Sequence, residues 1–132
     1  MYMLDTNICI YVLKDRSPEL HRKFAKTSDI CISSITYAEL CFGIENGVDS
    51  LKKKRWQQLS LFTQNLDILA WGENEAKEYG KIRAYLKKQG KVIGNNDLLI
   101  AAHALSKSFI LVTNNEREFR RVPELIVENW VS

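Results

Sequence analysis

Short apolar runs alternate with amphipathic segments along the chain, and this alternation most restricts the folds that it can adopt. The apolar runs are typical of buried strands, whereas apolar residues spaced three and four apart indicate helices. Five strand candidates occur, at residues 1–4, 30–33, 67–70, 109–113 and 125–127. Strands that alternate with helices favour a parallel sheet covered on both faces. The sequence therefore predicts an α/β fold of three layers, α/β/α, with a mostly parallel central sheet of four to five strands.

The helical segments have recognisable ends. Ser17 followed by Pro18 is typical of a helix start and predicts a helix over 18–26. A strong amphipathic helix is expected over 73–89, and Asp97 is expected to open another over 98–105. The chain of 132 residues contains no internal repeat, linker or low-complexity run. One domain, residues 1–132, is predicted.

Several protein classes are disfavoured by the residues present. No apolar run approaches the ~20 residues that a membrane span needs, and no signal-peptide pattern occurs, so we expect a cytoplasmic protein without a membrane partner. Cys9, Cys31 and Cys41 match no zinc spacing and are expected to be buried thiols. His103 is expected to be packed or hydrogen-bonded. No GxxxxGK[ST], GxGxxG or GxSxG motif occurs, which disfavours nucleotide binding and serine-histidine-acid catalysis.

Three acidic residues lie where a predicted strand gives way to a helix or on the opening turns of a helix: Asp5, Glu39 and Asp97. The carboxyl ends of parallel strands face one crevice, so these side chains can converge although they are distant in sequence. Each also has a plain alternative. Asp5 can be an N-cap, Glu39 a surface residue, and Asp97 a first-turn acid that interacts with the helix dipole. Their shared placement at one sheet edge favours a common site.

Carboxylates crowded at one site repel one another unless a cation compensates their charge. Oxygen ligands without histidine or thiolate suit Mg²⁺, with Mn²⁺ as an alternative. Such an ion can lower the pKa of a bound water and neutralise charge on a phosphoryl oxygen, so the natural substrate is a phosphodiester. The formal net charge of +3 is only mildly basic and does not identify which basic residues would contact a nucleic acid.

Four segments resemble, in order, the motif blocks of the PIN-domain ribonucleases, and more narrowly of the VapC toxins of bacterial VapBC toxin–antitoxin pairs. The segments are MLDTNICIYVLK, CISSITYAELCFGIENG, GNNDLLIAAHAL and FILVTNNEREFRRVPELIVENW. The resemblance covers nearly the whole chain and implies a three-layer domain and an endoribonuclease that depends on Mg²⁺ or Mn²⁺. The branch that the chain most resembles is described as tRNA(fMet)-specific endonucleases. Cleavage of initiator tRNA in the anticodon region is therefore implied.

The resemblance also implies roles for individual residues. Asp5, Glu39 and Asp97 match the three acids that the family uses around its metal, so they are expected to be both catalytic residues and metal ligands. The implied reaction is in-line attack of a metal-activated water on an RNA phosphate. No side chain other than these carboxylates is an obvious general base.

The fourth acidic position of the family falls on Asn115, so an amide stands where many members have a carboxylate. Asn115 can hydrogen-bond a metal-bound water but adds no charge, so one tightly held ion is expected, with a second recruited by the substrate phosphate. Thr6 and Thr113 resemble the family's hydroxyl residues beside the first aspartate, which suit a role in orienting the metal ligands. Glu116 or Glu118 can replace the missing acid, although both are expected to be helix-face residues.

The expected partners follow mainly from the resemblance. They are a VapB-type antitoxin, an RNA substrate, a second copy in a homodimer, a hetero-oligomer with the antitoxin, and operator DNA through the antitoxin only. Apolar residues beyond the obvious needs of one core can line a groove for an antitoxin helix or belong to the core itself. These residues are Ile8, Tyr11, Leu40, Phe42 and Trp56.

Two other functions remain open from the sequence. The first is a degenerate PIN-like domain that grips RNA or protein without catalysis, which the amide at Asn115 keeps possible. The second is a phosphatase or nucleotidase that acts on small phosphate esters and shares the same metal chemistry. Metal-dependent cleavage of RNA separates the endoribonuclease from both.

Overall fold

The structure is a computed structural model that describes residues 1–131. Within these residues, the strands are β1 (Tyr2–Leu4), β2 (Ile30–Ser33), β3 (Asp67–Leu69), β4 (Ile110–Val112) and β5 (Val127–Glu128). They form one sheet in the order β3-β2-β1-β4-β5, and every pairing is parallel. The predicted α/β class and five-stranded sheet are confirmed.

Helices connect the strands. They are α1 (Thr6–Leu13), α2 (Pro18–Lys26), α3 (Ser34–Glu45), α4 (Lys52–Thr63), α5 (Glu73–Lys88), α6 (Asn95–Lys107) and α7 (Glu116–Phe119), with a 3₁₀ turn at Asp49–Leu51. The sequence places the start of α6 at Asp97, whereas the helix begins two residues earlier. The Leu98 amide donates to the Gly94 carbonyl at 2.9 Å, so the first turn closes across both preceding asparagines. Asp97 therefore lies inside the first turn.

Alternate residues of the central strands point to opposite faces of the sheet, as strand geometry requires. Met3, Cys31 and Leu111 pack in one core cluster with α5 and α6. Leu4 and Val112 pack in a second cluster with α1, α2, α3 and α4. Both faces are thus covered, which explains why the central strands read as continuous apolar runs. The three-layer prediction is confirmed.

The expectation of three buried thiols needs one correction. Cys9 and Cys31 are buried, whereas Cys41 is half-buried, because it packs beside Tyr37 at the margin of the second cluster. His103 is fully buried, and its Nδ1 lies 2.7 Å from Ser33 Oγ, so the expected packed and hydrogen-bonded histidine is confirmed. No helix within residues 1–131 combines the length and the apolar character that a membrane crossing needs.

Candidate active site

Asp5 lies at the bottom of the site, directly after β1, and is 2% exposed. Its Oδ1 accepts a hydrogen bond from the Ile8 amide at 2.9 Å, so it caps α1. Its Oδ2 accepts a hydrogen bond from the Thr113 hydroxyl at 2.5 Å. The N-cap expected as an alternative is therefore present. Each oxygen still has a lone pair for another partner, so capping and ligand binding are compatible.

Thr113 joins two strand ends. It follows β4, which pairs with β1, and the Asp5 amide donates to the Val112 carbonyl at 3.0 Å. The Thr113 hydroxyl donates to Asp5 and also accepts a hydrogen bond from the Asn115 amide at 2.9 Å. This fully buried hydroxyl thus supports the first aspartate and orients the turn that leads to α7.

Glu39 projects from α3 and is held by two neighbours. The Thr6 hydroxyl donates to its Oε1 at 2.5 Å. The Asn96 side chain donates to its Oε2 at 3.0 Å. Thr6 therefore supports Glu39 rather than the adjacent aspartate. Asn96 was not singled out from the sequence, although its place in a Gly-Asn-Asn-Asp run at a helix start is a signal for it.

Asp97 and Glu118 lie close enough for the charge of Glu118 to act on the Asp97 carboxylate. Burial raises the pKa of Asp97, and the negative charges of Glu118 and Glu39 raise it further. Asn115 Nδ2 donates to Glu118 Oε2 at 3.1 Å. Asn115 is thus next to the site but points its amide at another carboxylate, and Glu118 brings the charge that Asn115 lacks.

Glu116 and Glu118 have different partners although both lie on the short helix α7. Glu116 pairs with Arg120 at 2.7 Å and accepts a hydrogen bond from Asn129 at 3.1 Å, so it lies on the outer face of α7. Glu118 is half-buried and lies near Asp97 instead of lying free on that helix face. Its position three residues after Asn115 is the available sequence signal, because such residues share one helix face.

The carboxylates are coupled electrostatically. The pKa of Asp5 is raised from 3.8 to about 6 as the net of several causes. Burial raises it most, hydrogen bonds from Thr113 and Ile8 lower it, and the negative charges of Asp97 and Glu39 raise it. No lysine or arginine of residues 1–131 forms an ion pair with any acid of this group. The structure thus brings the predicted acids together with their charge uncompensated.

The group fits a hard divalent cation in donor type and charge, because it offers carboxylate oxygens and lacks a counter-charge. As they stand, no three His, Cys, Asp or Glu side chains within residues 1–131 are close enough together to hold a metal ion. Binding would therefore require the side chains to turn toward the ion.

Comparison with known proteins places the chain in a family. The PIN domain family matches residues 2–125. Ribonuclease VapC2 of Haemophilus influenzae is 47% identical over 131 residues, or 98% of each chain. The tRNA(fMet)-specific endonuclease VapC of Shigella flexneri is 38% identical over 98% of this chain and 97% of its own. In the crystal structure of VapBC2 from Rickettsia felis bound to a promoter DNA fragment, one chain matches with TM-score 0.91, 41% identity and 98% coverage of both.

The chain therefore belongs to the PIN-domain family and, within it, to the VapC ribonucleases of toxin–antitoxin systems. The resemblance read from the four sequence segments is confirmed, and so is the enzyme class that it implies.

Proposed function

We propose that this ribonuclease is an endonuclease that depends on Mg²⁺ or Mn²⁺ and cuts initiator tRNA(fMet) in the anticodon region. The observation that carries the proposal is the cluster of acids without a cationic partner at one edge of the sheet. The substrate rests on a relative, the tRNA(fMet)-specific endonuclease of Shigella flexneri. A tRNA substrate places the activity in the cytoplasm.

Asp5, Glu39 and Asp97 would hold the cation, with Glu118 as a fourth carboxylate. A cation bound there supplies a water of lowered pKa and positive charge for a phosphate oxygen. Thr113 and the α1 amide keep both oxygens of Asp5 in place. Thr6 and Asn96 do the same for Glu39, so Asp5 and Glu39 are already oriented, and Asp97 and Glu118 are the acids that would turn toward the cation.

The antitoxin partner is proposed from a groove beside the site. The groove, about 580 Å³ in volume, has apolar walls and a basic margin and reaches Glu39. Its apolar residues include Ile10, Leu13, Leu40, Ile44, Leu51 and Leu59, and its basic ones are Lys14, Arg16, Lys54 and Arg55. An amphipathic antitoxin segment with acidic residues at its flanks complements these walls. A segment lying there would block RNA from Glu39.

Of the five residues first considered for an antitoxin groove, only Leu40 lines this one. Ile8 is fully buried in the core, and Leu40 lies in both the core and the groove wall. Phe42 is 67% exposed, and Tyr11 and Trp56 are half-buried. Homodimerisation and a hetero-oligomer that reaches operator DNA through the antitoxin belong to the same proposal. The Rickettsia felis VapBC2 structure with its promoter fragment supports the hetero-oligomer and its DNA contact, whereas homodimerisation rests on the family resemblance.

Cleavage of purified tRNA tests the function. Protein freed of antitoxin should cut initiator tRNA with Mg²⁺, stop with EDTA, and spare an elongator tRNA, with the cut mapped by RNA end sequencing. Asp97→Asn should lose at least roughly 10²-fold in rate while its circular dichroism spectrum is unchanged. Added VapB-type antitoxin should stop cleavage by the wild type. Cutting that persists in EDTA and in the variant would contradict the proposal.

A further inference from the structure

Two helices present a hydrogen-bonded row of side chains on the surface next to the carboxylate cluster. Arg83 and Tyr79 lie one turn apart on α5, and Asn95 is the first residue of α6. Arg83 Nη1 donates to the Tyr79 hydroxyl at 2.8 Å, and that hydroxyl donates to Asn95 Oδ1 at 3.1 Å. The order of donors leaves the Asn95 amide nitrogen without a bond inside the row. This row ends in two outward-facing donor groups.

The charge of Arg83 is held in place by neutral groups. Its guanidinium lies 5.8 Å from the centre of the Tyr79 ring, a cation–π geometry. No carboxylate within residues 1–131 forms an ion pair with it, whereas Lys77 and Lys81 on the same helix pair with Glu73 and Glu78. An exposed arginine that is oriented but not neutralised is prepared to bind an anion.

The aromatic residues give the row a rigid support. Trp71 packs edge-on against Tyr79, with ring centroids 6.2 Å apart. Its indole Nε1 donates to the Leu99 carbonyl of α6 at 2.9 Å, and its backbone amide donates to Ser34 Oγ at 3.1 Å. Trp71 thus ties the row to the start of α3, which carries Glu39, and to α6, which carries Asp97.

The first turn of α6 connects this row with the cleavage site. Of three consecutive residues in this helical turn, Asn95 contacts the arginine row through Tyr79, Asn96 contacts Glu39, and Asp97 lies within the electrostatic influence of Glu118. The row and Asp97 share the first turn of α6, whose residues rise only about 1.5 Å each along the helix axis, so one RNA strand of several nucleotides can span both.

The geometry points to a nucleotide-binding subsite at this row, which rests on the proposed ribonuclease function. Arg83 binds the phosphate of an RNA nucleotide that flanks the cleaved bond, and the Asn95 amide donates to the same nucleotide. Guanidinium groups suit phosphate because their donors are forked and always charged. Tyr79 positions Arg83 and does not itself need to contact RNA.

Binding of a fluorescent anticodon stem–loop of initiator tRNA tests this subsite, measured by anisotropy over a series of salt concentrations. Arg83→Ala should weaken binding roughly fivefold and make the logarithmic salt dependence shallower by about 0.7, the effect of one lost phosphate contact. Lys88→Ala is the matched control, because it removes the same charge from the same helix about 1.4 turns further along, on a different side of the axis, and should change neither quantity appreciably. Arg83→Lys should recover most of the salt dependence.

A double-mutant cycle separates positioning from bulk electrostatics. Tyr79→Phe keeps the ring and should weaken binding roughly twofold to threefold in the wild type, yet less in Arg83→Ala, where only the orientation of Asn95 is left to lose. Unchanged binding and salt dependence in Arg83→Ala, with normal cleavage by the wild type, would overturn the subsite alone. Equal losses of RNA affinity in Arg83→Ala and Lys88→Ala would also overturn it. So would a change in the oligomeric state of Arg83→Ala, measured as its molecular mass by light scattering. A wild type that neither binds nor cuts this RNA would overturn the proposed function with it.

Discussion

The floor of the site, Asp5 and Thr113, differs from its rim, Asn115 and Glu118, in how each is held. Both floor residues are almost fully buried, and their strands pair directly in the sheet. Both rim residues are half-buried and are joined to each other by one side-chain hydrogen bond of 3.1 Å beside a helix of four residues. The floor is therefore placed by the backbone, whereas the rim is placed by side chains.

This difference assigns different tasks to the two regions. A carboxylate held by a strand end, a helix cap and a buried hydroxyl cannot move far without breaking several bonds at once. A carboxylate on a short, partly exposed helix can turn toward a cation at little cost. We expect the rim to adjust on metal binding while the floor stays in place.

The largest expected contrast is in catalysis. Asp5→Asn keeps the shape of the floor but removes its charge, and should lower the RNA cleavage rate by roughly 10³-fold. Glu118→Gln at the rim should cost roughly 10–100-fold, because a mobile carboxylate contributes less to holding the cation. Single-turnover cleavage at saturating Mg²⁺ measures both. Equal losses in the two variants would break the distinction between floor and rim.

A second contrast is in the pH dependence of stability. The raised pKa of Asp5, about 6 against 3.8, means that the folded chain keeps a proton that the unfolded chain loses. Metal-free stability from this group is thus present below about pH 3.8 and declines as pH rises through about 6, by up to about 3 kcal/mol. Urea unfolding in EDTA measures the decline, and Mg²⁺ should reduce it.

The matched variant for this measurement is Asp5→Asn, which should lack the decline. The comparison is needed because burial lowers the pKa of His103 from 6.5. The stability of the fold that depends on neutral His103 is therefore lost as pH falls, which gives the opposite slope. If the unfolding free energies of the wild type and the variant change in parallel between pH 4 and pH 7, Asp5 keeps an ordinary pKa.

The smallest expected effect is at Asn115. Asn115→Asp adds a charge beside the cluster but removes the donor that holds Glu118. Mg²⁺ binding should therefore tighten only roughly threefold, a gain in binding free energy within the range of an exposed charge pair. In the Glu118→Gln background the same change should recover most of the lost affinity, since it restores a fourth carboxylate. Calorimetric titration in both backgrounds measures this. No change in either would remove Asn115 from the site.

Much of the fold and part of the site could be predicted from the chain. The strand positions, the helix at Pro18–Lys26 and the shared edge of Asp5, Glu39 and Asp97 follow from local patterns. The role of Glu118 could not be predicted. Its neighbours in sequence describe an ordinary helix face, and only the packing of α7 against the sheet brings it near Asp97.

The sequence by itself determined the succession of strands and helices along the chain and which acids lie at a strand end or in the opening turns of a helix, because periodicity and turn residues are local properties of the chain. The tertiary structure decided which groups hold those acids: Thr113 on Asp5, Thr6 and Asn96 on Glu39, across separations of 108, 33 and 57 residues. Such contacts depend on how the layers pack, which no local pattern encodes. The same packing joined Arg83 to Asn95 through Tyr79 and left it without an ion pair to any acid of residues 1–131. From the sequence alone, a charged residue on a helix is interpreted as a solvated surface group.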